Sequence, residues 1–285
     1  MMDKESTFRQ EGFLSKEHNQ NNKIQDENAH AFEFLRDINT MMMEMSTKFP
    51  NTAIAKNIVA HALMFRVIQS LQAVISLLNV GYRAEIFSII RMMQESYLFL
   101  ALHVKNEKKL HEILHGDEYG FKLKMHTAIS DAPEYSDYHE ITKESEVRLR
   151  KQMRDEKTYF GYESKSKTAS ITAVYNETST EQNSISIYRD YLLISNTYCH
   201  VSINSLCQHV QKTQEGTTLL FRPANKGEIW EAVMYASKAC TAFSGIINKS
   251  YLNGLYSEEL KQLYRDRRSA GAGKSVDPGG RRTIK

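Results

Sequence analysis

The sequence predicts an all-α fold: an irregular multi-helix bundle with two long central apolar helices and at most one minor strand or hairpin. Only 4 prolines and 13 glycines occur among 285 residues, too few for the many turns of an all-β fold. Hydrophobic residues make up 41% and charged residues 25% of the chain, which is ordinary for a globular protein. Long stretches free of glycine and proline therefore favour helices.

The N-terminal part predicts a loose arm followed by a first helix. Residues 1–28 are polar, with HNQNNK at their centre, and are predicted to form a flexible arm. In residues 32–49 apolar side chains recur every three or four positions, and the pattern stops before Pro50. A proline disfavours the helical conformation of the residue before it, so the helix is predicted to end before Pro50.

The most apolar part of the chain predicts two long helices, residues 54–78 and 83–104. They are separated by NVGY, where Gly81 suits the left-handed residue that follows a helix. Apolar residues cover most of the circumference of both segments, as expected for helices that lie deep in a bundle.

The charged middle of the chain predicts shorter elements. Gly116 is predicted to end a helix, since glycine weakens helix interiors. Amphipathic spacing then predicts helices over 118–129 and 134–157, and again over 184–194 and 202–211.

The C-terminal part predicts one strand and one more long helix. Residues 217–223, TTLLFRP, are the only predicted strand, and it is isolated. Residues 226–252 predict the last long helix, ended by Asn253 and Gly254 and followed by a short helical element. We therefore expect a single helical domain over 29–268 and a disordered basic tail over 269–285.

The charge distribution gives no support for a nucleic-acid-binding protein. The formal net charge is +3, but residues 265–285 alone carry +5, so the rest of the chain is close to −2. A nearly neutral body lacks the basic groove that nucleic acid requires.

Three cysteines without a C-x-x-C motif fit a reducing compartment, and the longest charge-free stretch, 67–82, is too short to span a bilayer. We expect a cytoplasmic protein with no membrane association.

The letters HEILH at residues 111–115 match the zinc motif H-E-x-x-H. On a helix, His111 and His115 would lie on one face and could ligate zinc, with Glu112 as general base. Random placement gives this match in about 3% of chains of this composition, and no third ligand stands at an expected spacing. We interpret these histidines as solvent-facing residues of a short helix and expect no metal or other cofactor.

A second constellation lies in the apolar segment IIRMMQESYLFL. Arg91 and Glu95 stand at i and i+4, hence on one helical face, and Ser88 extends that face by one turn. Charged groups among large apolar residues must reach solvent or be paired. The pair is either a structural ion pair that fixes the register of the helix or a pair that faces a ligand.

A third constellation surrounds His200. Polar residues, among them Ser195, Asn196 and Tyr198, follow the apolar letters YLLI abruptly, which predicts a helix end or a kink. His200 is either a hydrogen-bonded core histidine or an acid/base. We predict a buried polar cluster of Arg91, Glu95 and His200.

These segments carry a resemblance to a known family. An apolar helix with R-x-x-x-E, a charged middle and a later Y-R…S…H segment resembles a bacterial all-helical family of unknown function. The resemblance spans roughly residues 54–252. It implies a helical fold and a bacterial or mobile-element origin, with phage defence as one such context, and it implies no established reaction. It is carried by Arg91, Glu95, Tyr188, Arg189, Ser195 and His200.

Three functions stay open at this point, and whether the chain is an enzyme is one of the open questions. The first is a binding or regulatory module for a small anionic or polar ligand or a protein partner, in a monomer or a homo-oligomer. The second is a metal-independent hydrolase of phosphodiesters or RNA, with His200 as acid/base and Arg91 stabilising negative charge. The R-x(4–6)-H motif of helical ribonuclease toxins is absent, however. The third is a zinc metallopeptidase that uses HEILH.

Overall fold

The computed structural model confirms the all-α fold. It describes residues 13, 23–50, 54–131, 139–160, 170–199, 206, 210–213, 216–219 and 222–272. These residues form ten α-helices, a π-helical segment Ser195–Cys199 and one two-stranded hairpin. The elements are α1 (Lys23–Glu27), α2 (Ala29–Thr47), α3 (Ala55–Val80), α4 (Ala84–Lys105), α5 (Glu107–Asp131), α6 (His139–Phe160), α7 (Ile171–Thr178), α8 (Gln182–Ile194), β1 (Val210–Thr213), β2 (Gly216–Leu219), α9 (Lys226–Tyr251) and α10 (Ser257–Ala272).

The chain divides into two compact units. The first combines Met1–Leu100 with Gln182–Lys285, and the second is Ala101–Glu181. The single domain expected over 29–268 stays a prediction.

The core of the first unit lies where α2, α3 and α9 pack together. Each helix presents apolar side chains at intervals of three or four residues, so that they form one stripe per helix. Burying one valine, leucine, isoleucine, methionine or phenylalanine side chain contributes about 1.5–3 kcal/mol to the stability of the fold. The buried side chains include Phe32, Leu35, Ile38, Met42 and Met45 on α2, Met64, Val67, Leu71, Val74 and Leu78 on α3, and Val233, Ala236, Cys240, Phe243 and Ile247 on α9.

Gly81 ends α3 as predicted. Its φ is +86°, in the left-handed region that glycine adopts without strain, and its N–H donates to Leu77 O at 2.9 Å. Its own carbonyl accepts from Ala224 N–H at 2.8 Å. A Cβ at this position would lie 2.8 Å from Pro223 Cβ and 2.9 Å from Ile24 Cδ1. Both the backbone angle and the lack of space therefore require glycine.

Helix α3 is also apolar enough, by length and composition, to cross a membrane. The span Lys56–Val80 has a mean hydropathy of 1.6 in its most apolar window, of which 39% is buried inside the protein. A core helix of a soluble protein meets the same criterion, and α3 buries one face against α2 and α9. The absence of membrane association stays a prediction.

Part of the segment predicted as a flexible arm makes packed contacts. The ring of Phe13 stacks on Tyr82 with centroids 4.3 Å apart. Helix α1 follows, and the buried Asn28 donates through Nδ2 to Ile24 O at 2.8 Å.

At the other end of the chain, the predicted stop of α9 is confirmed by positive φ angles at Asn253 and Gly254. Helix α10 then runs to Ala272, inside the range predicted as a tail.

In the second unit, the prediction that Gly116 ends a helix is wrong. Helix α5 continues from Glu107 to Asp131 through Gly116, which is buried. Glycine in a helix interior costs about 1 kcal/mol relative to alanine. That cost is smaller than what α5 gains by packing on α6, where His115 and Tyr119 both interact with Glu156.

The strand predicted over 217–223 exists in part, but its isolation is wrong. Strand β2 pairs with β1 in antiparallel register, with Val210 opposite Leu219 and Thr213 opposite Gly216. The helix predicted over 202–211 is consequently wrong at its last two residues, which begin β1. Apart from residue 206, the remainder of that range lies outside the described residues. The φ of Gly216 is +135°, a backbone conformation that glycine adopts without strain.

Candidate functional site

Arg91 lies in the middle of α4, between the buried Ile90 and the exposed Met92. Ile90 and Met93 are completely buried, whereas the side chains of Arg91 and Glu95 are each 25% exposed. Arg91 Nε lies 3.2 Å from Glu95 Oε1, so the two form an ion pair, but the Nε–H is not directed at that oxygen. The i, i+4 pair thus stands at the edge of the core and reaches solvent.

Tyr191 on α8 is a second partner of Arg91. Arg91 Nη2 donates to Tyr191 OH at 3.0 Å, and the guanidinium carbon lies 5.1 Å from the centre of the tyrosine ring. Burial lowers the pKa of Arg91, but the hydrogen bond with Tyr191 and the charge of Glu95 raise it more. Arg91 is therefore a fixed cation, held on two sides.

Tyr191 was missed at the sequence level. It lies 100 positions from Arg91 in the chain, and no spacing rule relates residues on two separate helices. The available signal was the repeated tyrosine in Y-R-D-Y, because Tyr188 and Tyr191 stand three apart on one face of α8. Their rings lie 5.9 Å apart and nearly parallel.

Helix α8 ends after YLLI, where the abrupt shift to polar residues predicted a helix end or a kink. Residues Ser195–Cys199 form a π-helical turn, a conformation that is rare and frequent at functional sites. Ser88 Oγ donates to Ala84 O at 3.0 Å and lies 3.6 Å from Cys199 Sγ. The buried Oγ of Ser195 has no hydrogen-bond partner among the described residues. His200, the third member of the predicted cluster, lies outside the described residues.

We use the name Arg91 cluster for Ser88, Arg91, Glu95, Tyr191 and Cys199. Three separate segments supply these side chains: α4, α8 and the π-helical turn. All of them belong to the first unit. The cluster combines one cation, one carboxylate, two hydroxyls and one thiol.

A second polar group lies beside the N-terminal half of α4. Arg83 Nη1 approaches Glu228 Oε1 at 3.3 Å, and its guanidinium lies over the ring of Tyr198 at 5.3 Å. Tyr198 stacks on Phe87 at 3.9 Å and donates to Glu231 Oε2 at 3.3 Å. Burial and the charge of Glu231 raise the pKa of Tyr198. These contacts tie the π-helical turn to α4 and α9.

The residues of HEILH have three separate sets of contacts. Glu112 is 8% exposed and pairs with Lys109 at 3.1 Å. His115 Nε2 lies 3.0 Å from Glu156 Oε2 on α6. Among the described residues, His111 joins a group of metal-ligating side chains with His103 and Glu107 instead of His115. The interpretation of both histidines as solvent-facing residues of a short helix is wrong, because the helix has 25 residues and the His115 side chain is only 14% exposed. A zinc metallopeptidase that uses HEILH stays an alternative.

Comparison with known proteins identifies a family. Residues 57–217, more than half of the chain, match the family described as "Family of unknown function (DUF5677)". No curated protein and no solved structure matches the chain. The matched range runs from α3 to β2 and contains every residue of the Arg91 cluster. The chain therefore belongs to this family of unknown function, DUF5677.

Proposed function

We propose that the protein is a binding module whose Arg91 cluster holds a small polar ligand that carries an anionic group. One observation carries the proposal. The guanidinium of Arg91 is held by Glu95 and Tyr191, yet among the described residues the one hydrogen bond that it donates is from Nη2 to Tyr191 OH, which leaves other N–H donors of the fork unused. With a quarter of the side chain exposed, these donors are accessible to a ligand.

The chemistry of arginine sets the class of ligand. A guanidinium presents its N–H donors in a planar fork that matches carboxylate and phosphate oxygens. An arginine that is already fixed by protein contacts loses little conformational entropy on binding, so more of the interaction appears as affinity. The anionic group of the ligand would accept from Arg91.

Glu95 narrows the chemical class of the proposed ligand further. Its carboxylate offsets the positive charge of Arg91, so a simple anion would gain little net attraction here. A ligand that also carries a hydroxyl or an amine can donate to Glu95 while its anionic group accepts from Arg91. We therefore favour a small molecule with both groups, such as an amino acid or a phosphorylated sugar.

The proposal places this module in the bacterial cytoplasm. The free thiols of Cys199 and Cys240 support a reducing compartment. The bacterial origin rests on the resemblance of the R-x-x-x-E and Y-R…S…H segments.

The test compares ligand-induced stabilisation in matched arginine variants. Melting temperature is measured with and without inorganic phosphate, glycine, serine and glucose 6-phosphate, each at about 10 mM. We expect at least one of the two-group compounds to raise the melting temperature of the wild type and of Arg189→Met, which removes an exposed arginine of α8. Arg91→Met should lose that response.

Two results would contradict the proposal. One is equal stabilisation of Arg91→Met and the wild type by every compound, and the other is the absence of any response in the wild type. Stabilisation by phosphate alone would retain the anion site but remove the role of Glu95.

A further inference from the structure

Three side chains of metal-ligand type meet where α4 ends and α5 begins. His103 is on the last turn of α4, Glu107 is the first residue of α5, and His111 follows one turn later. The spacing is i, i+4, i+8. On one straight helix, His103 and His111 would be separated by about 12 Å along the axis, which is too far for one ion. Sequence spacing alone therefore does not predict a shared site.

A break at Asn106 changes that geometry. Helix α4 ends at Lys105, and Asn106 N–H donates to Leu102 O at 2.7 Å. The Oδ1 of Asn106 then accepts from Lys109 N–H at 3.0 Å, as a residue at the N-terminus of a helix does. Helix α5 thus starts as a new helix. The rings of His103 and His111 lie 6.3 Å apart, centre to centre, with planes 6° apart.

The ligand atoms are close enough to share an ion. One nitrogen of each histidine and one carboxylate oxygen of Glu107 all lie within 4.8 Å of one another. Ligands bound at 2.0–2.2 Å from Zn²⁺ stand at most about 4.4 Å apart. Small side-chain rotations therefore bring the three atoms onto one ion.

The unused hydrogen-bonding capacity of this group also points to a ligand. His111 Nε2 is shielded from solvent and has no hydrogen-bond partner among the described residues. A buried polar atom without a partner is unfavourable by about 1–3 kcal/mol, and an ion is one of the partners that resolves such a case.

The nearby lysines do not neutralise Glu107. Lys109 Nζ pairs with Glu112 at 3.1 Å, and Lys105 Nζ donates to Glu177 O at 2.6 Å and to Thr180 Oγ1. In the described part of the chain, Glu107 forms no ion pair. Its negative charge is therefore available to a cation that the two imidazoles also ligate.

From this geometry we propose that His103, Glu107 and His111 bind one divalent transition-metal ion of the Zn²⁺ class. Two imidazoles and one carboxylate suit such an ion better than Mg²⁺ or Ca²⁺, which prefer oxygen ligands. Three protein ligands leave a coordination position for water or another ligand. Glu107 and His111 are partly exposed, so that position is open to exchange.

This site shares only His111 with HEILH and belongs to the second unit, whereas the Arg91 cluster belongs to the first. The inference is therefore independent of the proposed function. It replaces the expectation from sequence alone that the chain holds no metal.

The experiment titrates untagged, full-length protein, freed of metal by a chelator, with CoCl₂ and ZnCl₂. Co²⁺ absorbance in the visible range reports the ligand set, and calorimetry reports Zn²⁺ affinity and stoichiometry. We expect one ion per chain in the wild type. Glu107→Gln should weaken binding by at least about tenfold, and His111→Ala should abolish the Co²⁺ absorbance.

The matched control is His115→Ala, which removes the other histidine of HEILH. Circular dichroism of each metal-free variant checks that its helices are intact, and Glu107→Gln serves as the test if His111→Ala unfolds. Affinity of His115→Ala within about twofold of the wild type supports the site. The proposal is overturned if the wild type binds no ion, if Glu107→Gln and His111→Ala bind as tightly as the wild type, or if His115→Ala alone loses the ion.

Discussion

Arg222 donates two hydrogen bonds to Glu228, from Nη1 at 2.9 Å and from Nη2 at 3.0 Å. The same carboxylate accepts from Asn225 N–H at 2.8 Å, while Asn225 Oδ1 accepts from Glu228 N–H. Arg83, the residue before α4, approaches it at 3.3 Å. Glu228 thus caps α9 and joins two arginines with a side chain that is only 13% exposed.

The stability of the protein should depend on the ionisation of Glu228. Burial alone would raise its pKa, but the hydrogen bonds from Arg222 and Asn225 and the charge of Arg83 outweigh burial and hold the pKa below 4.5. Since the folded-state pKa is lowered, this contribution is complete above pH 4.5 and is lost as the pH falls through the folded-state pKa.

Glu228→Gln should therefore destabilise the protein by about 1–2 kcal/mol at neutral pH and by less at about pH 3.5. Urea unfolding at the two pH values measures the difference. Glu258→Gln is the control, because its pair with Lys261 is exposed, and it should leave unfolding unchanged at both. A loss that is equal at both pH values would contradict the role of the charge.

Removing one member of the Arg91–Glu95 pair should destabilise the fold more than replacing both. Glu95→Ala leaves the guanidinium without its carboxylate, although Tyr191 remains, so we expect a loss of about 1–3 kcal/mol. Arg91→Met with Glu95→Leu should recover much of it, because the neighbouring positions are apolar. Chemical denaturation of the single and double variants forms the double-mutant cycle. Single variants as stable as the wild type would mean that the pair contributes nothing to folding.

Tyr191→Phe isolates the hydrogen bond from the rest of the tyrosine ring. It removes the acceptor of Arg91 Nη2 but keeps the ring beneath the guanidinium. We expect a loss of about 1 kcal/mol, measured by the same denaturation. If the variant lost the ligand response predicted above yet kept its stability, Tyr191 would orient Arg91 without supporting the fold.

Two glycine substitutions should act in opposite directions. Gly81→Ala combines a positive φ with a Cβ at 2.8 Å from Pro223 Cβ, so it should destabilise by about 1–3 kcal/mol. Gly120→Ala adds a Cβ in the interior of α5, where nothing lies within 4 Å, and should stabilise by about 0.5–1 kcal/mol. Melting temperatures compare the two. An unchanged melting temperature of Gly81→Ala would mean that Pro223 and Ile24 move aside at little energetic cost.

The Cys240 thiol should be unreactive in the folded protein. It is completely buried on α9, and burial raises its pKa, so the reactive thiolate is scarce. In the Cys199→Ser, Cys207→Ser variant, an aromatic disulfide reagent should label Cys240 only as fast as the helix opens. The same variant in denaturant should react at once. Rapid labelling without denaturant would show that α9 is not a stable part of the core.

The sequence predicts those parts of the structure that depend on local patterns. Helices α2, α3, α4 and α9 follow from repeated apolar spacing and from stops at Pro50, Gly81 and Gly254. The same rules failed at Gly116, because packing of α5 on α6 outweighs the weak propensity of one glycine. Propensity is informative only where tertiary contacts do not oppose it.

The candidate sites show the same limit. The contact between Arg91 and Glu95 follows from their spacing on one helix. The contact between Arg91 and Tyr191 does not follow from sequence spacing, because it depends on how two helices pack. His103 and His111 converge only because Asn106 ends one helix and begins another, and no i, i+4 rule anticipates such a break.

The division of the chain into two units sets an order for folding during synthesis. The first unit is built from two segments, and Ala101–Glu181 lies between them in the chain. Helices α2 and α3 leave the ribosome before the whole intervening segment, whereas α9, which covers their apolar faces, is made only after it. Closing so long a loop is slow. The nascent chain therefore carries an uncovered apolar surface until α9 has been made, and this is the interval in which a chaperone would have to protect it.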